Sequence, residues 1–222
     1  MSEKPTIGLA MIMQNEESHI PATISQFYHA VDEIIVVDGG STDGSISWAT
    51  KMGATVIERP FDNDFAAQKN FAIGQLDTDW VYLHDPDERL EPTLLEIMPW
   101  LVSHEGQQNL MHAAVLPRNA EPFDCFGIPR CNFLDGVQTE IYPDYQYRLF
   151  KNYCRFKGKV HEEIVGFTNR TEVDFLRVGN KDAKAVGPID PEFRSRFNIL
   201  HYKSSEKQDV QNELYDEIEK ES

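Results

Sequence analysis

Residues 80–90 read WVYLHDPDERL. An apolar run of strand length ends in two carboxylates, Asp85 and Asp87, set around a proline, with Glu88 directly behind them. Two carboxylates about 4 Å apart at an effective dielectric near 20 repel by roughly 4 kcal/mol. The group therefore calls for a cation, a shared proton or open water. WVYLHD lacks polar alternation, which suits a strand covered on both faces of a parallel sheet. Its acids then lie at the strand's C-terminal end, the edge where open α/β sheets bind their ligands.

Upstream, the same form repeats. IGLAMIM (7–13), EIIVVD (33–38) and ATVIERP (54–60) are apolar runs separated by helical patterns, the signature of βαβ units. Ile20, Ile24, Phe27 and Val31 mark one face of a first helix, which Pro21 can enter only in its first turn. GGSTDG (39–44) supplies turn glycines and capping side chains for a second helix through Ile46, Ala49 and Met52, stopped at Gly53. DFAAQKNFAIGQL (64–76) reads as a third. Asp38 closes EIIVVD as Asp85 closes WVYLHD, so two parallel strands deliver carboxylates to one crevice.

Downstream, Pro92 opens a helix carrying Leu94, Leu95, Met98, Leu101 and Val102, and HAAVLPR (112–118) reads as a returning strand. From Asn119 to Asp144 the density of Pro, Gly and aromatic residues predicts a loop-rich cover over the sheet edge. YQYRLFK and RFKGKVHEEI, joined around Asn152 and Tyr153, alternate like a hairpin. Beyond Tyr202, Val210, Leu214 and Ile218 recur at spacings of four on a charged terminal helix, packed on the domain or on a partner. No internal repeat or low-complexity linker is apparent.

Bulk properties narrow the function. A chain of 222 residues, 41% hydrophobic, suits one α/β domain. With 21 basic against 37 acidic residues and a formal charge of -16, it repels a phosphate backbone, which excludes general nucleic-acid binding. Three cysteines without CxxC spacing imply reduced thiols and a cytoplasmic setting. IGLAMIM is too short and too acid-flanked for a membrane span or signal peptide. Asn169-Arg170-Thr171 matches a glycosylation sequon but is read as a surface turn.

Asp85 and Asp87 suit a hard divalent cation such as Mg2+ or Mn2+, against the plainer reading of a solvated turn. The glycines beside Asp38 do not form GxGxxG, because Ser41 stands where the second glycine belongs, so a Rossmann dehydrogenase is disfavoured.

QNEE after the first strand, VVDGGSTDGS after the second, DFAAQKNFA on the third helix and YLHDPDERL together resemble a family 2 glycosyltransferase of the GT-A fold. Within that family the chain is similar to the bacterial lipopolysaccharide-core β-glucosyltransferase group, whose order YRLFKN, GKVHEE and LHYKS also follows. The resemblance implies a domain over residues 1–202, with a nucleotide-sugar half (1–117) and an acceptor half (118–202), then a charged helix at 203–222. It implies a UDP-hexose donor, a glycan or lipid-linked acceptor, an inverting transfer and a peripheral approach to membranes. Glu16 or Glu17 with Asp38 would contact the nucleoside, Lys69 the base or diphosphate, and Asp85 the ribose. Asp87 would bind Mn2+ or Mg2+, in a DPDE that departs from the commoner DADE by Pro86. His201 fits the late histidine of the metal site better than His161, which would reach the diphosphate or acceptor.

An inverting transfer needs a carboxylate to take the acceptor's proton. By the resemblance, Asp144 in TEIYPDYQYR stands where the GT-A pattern puts its catalytic acid, the usual Glu-Asp pair reading here as Pro143-Asp144, with Glu140, Asp135 and Glu162 as rivals. Arg148, Lys151, Arg155, Lys157 and Lys159 form a basic cluster, read equally as a diphosphate-facing hairpin or as solvated strand surface. Two other classes stay open. A nucleotidyltransferase lacks support because QNEE stands where its glycine-rich loop belongs; a noncatalytic sugar-binding module predicts binding without turnover.

Overall fold

The computed structural model describes residues 4–113, 120–172 and 198–220. Its centre is a twisted sheet in the order β3-β2-β1-β4-β8-β6-β12-β5. The first four strands are β1 (Ile7–Met13), β2 (Glu33–Asp38), β3 (Thr55–Glu58) and β4 (Trp80–His84), all parallel. Three helices connect them: α1 (Ile20–Ser25), α2 (Ser45–Lys51) and α3 (Phe65–Ile73).

Successive strand side chains point to opposite faces, and the apolar runs divide accordingly. Leu9, Met11, Val36, Trp80 and Tyr82 face α1 and the later helices. Ala10, Ile35, Val37, Val81 and Leu83 face α3. Both sets are buried, which is why the strand sequences show no alternation. Gly8 is required by this packing, because a Cβ there would stand 2.5 Å from Leu76 Cδ2 and 2.6 Å from Thr78 Oγ1.

The second half is mixed. β5 (Glu88–Leu90) follows the DPD turn and leads to α4 (Pro92–Val102) and α5 (His104–Ala113). β6 (Cys125–Leu134), β7 (Val137–Gln138) and β8 (Asp144–Lys151) come next, then β9 (Arg155–Lys157), β10 (Glu163–Val165), β11 (Arg170–Glu172), β12 (Ile199–Lys203) and α6 (Ser205–Lys220). β8 runs antiparallel to both β4 and β6. The start of β8 therefore meets the same sheet edge as the end of β4. β12 pairs with β6 and, through His201↔Glu88, with β5.

Several expectations are corrected. The region after Asn119 is not mainly loop, since it holds the ten-residue β6 in the middle of the sheet. Among the described residues, Pro129 lies between Gly127, which pairs with Glu172 of β11, and Arg130, which pairs with Ile199 of β12. YQYRLFK and RFK do not pair with one another: β8 belongs to the main sheet and β9 pairs with β10. The reason lies in Asn152, whose side-chain amide donates to the carbonyls of Leu76 and Thr78 at 2.9 Å and ties the turn to the α3–β4 connection. The first helix ends at Ser25, leaving Phe27 buried and Val31 packed in the turns beyond it. His112 and Ala113 are helical in α5; residues 114–118 of the expected strand lie outside the described residues. The sequon enters β11 rather than a turn. Cys125, Cys131 and Cys154 are free and buried. No helix among the described residues is long and apolar enough to cross a membrane.

Candidate active site

The C-terminal ends of β1, β2 and β4, the start of β8 and the helix α6 surround a cavity of about 1180 Å³. This exceeds the roughly 300–1,000 Å³ of common ligand pockets. Its floor is set by two interlocked loops. Asn15, in the left-handed region at φ 56°, accepts from the Thr42 amide at 2.8 Å, and its own amide donates to Ser41 Oγ at 2.8 Å. The Glu16 amide donates to Ser45 Oγ at 2.7 Å. Glu17 accepts from the Gly44 amide. The QNEE and STDG motifs thus build one surface by holding each other.

Asp38 is 1% exposed and accepts from the amides of Gly40 and Ser41 at 2.9 and 2.8 Å and from Ser41 Oγ. Gly40 reaches φ 111°, a conformation only glycine takes without strain. Asp38 therefore stands behind the wall, and exposed Glu17 lies outside the cavity lining, both shaping a loop whose Gly39 faces the cavity. Glu16 lines the cavity directly, bonded to His19 Nδ1 at 2.7 Å and Lys207 Nζ at 2.5 Å. Lys69 on α3 also lines it and pairs with Glu162 at 2.9 Å.

The DPDE turn divides its acids by depth. Glu88 is fully buried; its Oε1 accepts from Arg148 at 2.7 Å and lies 3.4 Å from Arg130 Nη1. Arg148, 5% exposed, also donates to Asp85 Oδ2 at 2.5 Å. Burial pushes the Asp85 carboxyl up, but Arg148, Lys69 and Arg130 outweigh it and hold Asp85 well below the usual carboxylate range. Asp85 and Glu88 bond through Arg148 rather than repelling across open water. His84, fully buried against the Phe27 ring, is driven by desolvation down to about 4 and stays neutral.

Asp87 turns the other way. Its Oδ2 lies 3.5 Å from His201 Nε2 and 3.8 Å from Lys207 Nζ. Burial again raises the carboxyl, and His201 and Lys207 outweigh burial together with Asp85. Asn132 Oδ1 holds the other ring nitrogen of His201 at 2.9 Å, which fixes the ring's direction. Among the described residues no group of three or more His, Cys, Asp or Glu is arranged to hold a metal ion. One carboxylate oxygen and one imidazole nitrogen still fit Mn2+ or Mg2+, provided phosphate oxygens and water complete the octahedron. His161, at φ 52°, lies elsewhere on the wall, its ring edge-on to Tyr215 and 3.6 Å from Glu219.

Asp144 begins β8 opposite Arg130. Its Oδ2 accepts from Arg130 Nε and Nη2 at 3.0 and 2.7 Å and from Asn132 at 3.0 Å; its Oδ1 accepts from Gln146 at 2.9 Å. Burial raises this carboxyl, and Arg130 with the amide donors more than reverses it, which weakens it as a base. Arg130, Asn132 and Gln146, its hydrogen-bond partners, line the cavity, and the Asp144 side chain beside them is 26% exposed. Of its rivals, Glu162 lines the cavity, Asp135 is exposed and caps α6 at Ser205, and Glu140 is exposed. Of the basic cluster, only Arg148 lines the cavity.

Sequence reasoning assigned no role to Arg130, Glu88 or Lys207. Glu88 was visible as a third acid. Nothing local signals that Arg130, inside a Pro- and Gly-containing stretch, would meet Glu88 and Asp144, or that Lys207 of the tail would reach Glu16.

Residues 9–107 match the profile of glycosyl transferase family 2. An uncharacterized glycosyltransferase of Rickettsia conorii is 28% identical over 166 residues, covering 70% of this chain and 58% of the relative. Glycosyltransferase SunS, derived from the SPbeta prophage of Bacillus subtilis, is 27% identical over 182 residues, covering 79% of this chain and 38% of SunS. The matches thus span 58% or less of these curated relatives. The solved glucosyl-3-phosphoglycerate synthase of Mycobacterium tuberculosis, in complex with Mn2+, UDP and phosphoglyceric acid, is 24% identical with a TM-score of 0.40, covering 60% of this chain and 44% of that one. Glu16, Glu17, Asp38, Lys69, Asp85 and Asp87 all fall within residues 9–107, the segment of this α/β domain that matches the profile of glycosyl transferase family 2.

Proposed function

We propose that the chain is an inverting, metal-dependent glycosyltransferase that moves a hexose from a nucleotide sugar, a UDP-hexose, to a hydroxyl of a glycan or lipid-linked acceptor. The observation that carries this reading is the division of the DPDE acids. Asp85 faces the cavity neutralised by Arg148, while Asp87 stands beside His201 with an oxygen turned inward. An anionic donor in so acidic a chain needs local cations, and Lys69, Arg148 and Lys207 reach the cavity.

In this reading Glu16 and the Gly39 loop hold the nucleoside, with Asp38 fixing that loop. Lys69 and Arg148 flank the diphosphate, and His161 approaches it or the acceptor. Asp87 and His201 would hold a divalent cation, which would supply Lewis-acid stabilisation of the departing diphosphate. Asp144 takes the acceptor proton on Oδ1, the oxygen with a single hydrogen-bond donor. One observation favours a second reading: Glu162 lines the cavity itself, so it takes the base role if released from Lys69. Leu134, Ile141 and Val210 are exposed apolar side chains on the cavity wall, which supports a lipid-linked acceptor and a peripheral approach to a membrane. The narrower likeness to lipopolysaccharide-core glucosyltransferases belongs to this proposal.

Calorimetry with UDP and Mn2+ tests it. Asp87→Ala should remove the tightening of UDP binding by Mn2+. Asp144→Asn should keep UDP binding while turnover of a UDP-hexose falls by about 10²–10⁴-fold, the range of a lost general base. Normal turnover in Asp144→Asn would hand the role to Glu162. Pyrophosphate release would convert the reading to nucleotidyl transfer, and binding without turnover to a noncatalytic module.

A further inference from the structure

Lys207 sits near the start of α6, far along the chain from the motifs of the first half. Its ammonium lies 2.5 Å from Glu16 Oε1 and 3.8 Å from Asp87 Oδ2. That Asp87 oxygen is the same one His201 approaches at 3.5 Å. The lysine therefore occupies the ground between the nucleoside end of the cavity and the carboxylate offered to a cation. A divalent ion on Asp87 and an ammonium this close to the same oxygen repel each other strongly.

The helix itself is anchored elsewhere. Ile218 is 1% exposed in the core, and Tyr215 stands edge-on to Phe65 with ring centroids 5.5 Å apart. Gln208, Gln211 and Leu214 of the same helix line the cavity. What is free to move is the four-carbon stem of Lys207, whose side chain is 41% exposed. It can turn without lifting the helix.

We propose that Lys207 is a donor-site residue that trades places with the divalent cation. With the site empty it holds Glu16 and Asp87 together; once the cation takes Asp87 and His201, it is released onto the diphosphate of the nucleotide sugar. This rests on the proposed function above and extends the donor site to the C-terminal helix. Two effects of opposite sign follow from one side chain. Without nucleotide, Lys207 competes with the metal. With nucleotide and metal both present, it contributes a charge-assisted hydrogen bond.

Lys207→Met tests both on the full chain, with Mn2+ alone, UDP at saturating Mn2+, and uridine as the phosphate-free control. Mn2+ alone, titrated by the electron paramagnetic resonance of the free ion, should bind about five- to tenfold tighter than to wild type. UDP at saturating Mn2+ should bind about tenfold weaker, the scale of one charge-assisted hydrogen bond, while uridine affinity stays within about twofold. Unchanged Mn2+ affinity, unchanged UDP affinity, or a parallel loss of uridine binding would each overturn the assignment. The wild type is read first: if Mn2+ does not tighten its UDP binding, the proposed function itself fails. If Mn2+ does tighten it and Lys207→Met behaves as wild type, this inference alone fails.

Discussion

The two halves of the sheet are held by different means. β1 to β4 are parallel strands with a two-residue period whose apolar faces pack on connecting helices; β1–β2 and β2–β3 join neighbouring segments, and the β1–β4 pair closes over the βα units between them. From β5 onward, apart from the adjacent β6–β7 and β9–β10 pairs, the pairs β5–β12, β4–β8 and β6–β12 join strands distant in sequence, and Arg148 and Arg130 fasten this half to Glu88, Asp85 and Asp144. The first half delivers acids to the sheet edge by backbone regularity. The second brings the cations that make those acids tolerable. Stability should therefore be distributed unevenly, with many small local contributions in the first half and a few large ones at the seam.

The largest break is at Arg148. Arg148→Met leaves Glu88, fully buried, with Arg130 at 3.4 Å as its one remaining full cation beside the Asp85 amide at 3.3 Å and neutral His84 at 3.5 Å, and removes the guanidinium bonded to Asp85. Removing one member of a buried charge network costs about 3–5 kcal/mol because the remaining charge is uncompensated. Urea unfolding should show a loss of that size, and the double variant Arg148→Met with Glu88→Gln should regain part of it. A single-variant loss under about 1 kcal/mol would mean that the pair behaves as an exposed salt bridge.

His84 sharpens the comparison, since it ends β4 and its Nε2 meets the Glu88 carbonyl at 3.1 Å. Desolvation holds it neutral down to about 4, against 6.5 in the unfolded chain. The unfolded state therefore binds the extra proton first as pH falls. Its contribution is fully present above pH 6.5 and is lost progressively toward pH 4, about 3 kcal/mol in all. Asp85, Asp87 and Asp144, whose carboxyls are held low, lose their contributions only at more acid pH. Unfolding free energies between pH 6.5 and 5 should thus fall by about 2 kcal/mol from His84. His84→Gln should flatten that slope, and an unaltered slope would show that another group titrates.

The same division explains what could be read from the sequence. IGLAMIM, EIIVVD and WVYLHD were legible as buried strands, and DPDE as the turn at the C-terminal end of β4, because period and turn chemistry are local. CFGIPRCNFL was not legible as a central strand. Gly127 and Pro129 argue against one locally, and its partners β8, β11 and β12 all lie outside the stretch itself. YQYRLFK showed its alternation but not its partners, because Asn152 directs the turn away from β9. In the candidate site, Asp85, Asp87 and His201 were legible as residue types in motifs. Arg130 and Lys207 were not, because their roles arise from pairing register and helix docking, which no short window contains.

The smallest effect belongs to the first half and bounds its local character. Asp64 stands before α3 with extended backbone, and its Oδ1 accepts from the Ala67 amide at 2.8 Å. This satisfies a donor that the helix cannot pair internally. Asp64→Ala should cost about 1 kcal/mol in urea unfolding, the usual value of such a cap. Asp64→Asn should recover most of it, because the amide oxygen still accepts. α3 places Phe65, Gln68 and Lys69 on the cavity wall, and Gln68 is held by Arg59 and Lys69 by Glu162, so fraying at its start would reach the wall first through the Phe65 ring. UDP affinity should change by less than about threefold, under 1 kcal/mol. If Asp64→Ala instead cost as much as Arg148→Met, the first half would depend on single contacts as the seam does, and the contrast between regular backbone and placed charges would not hold.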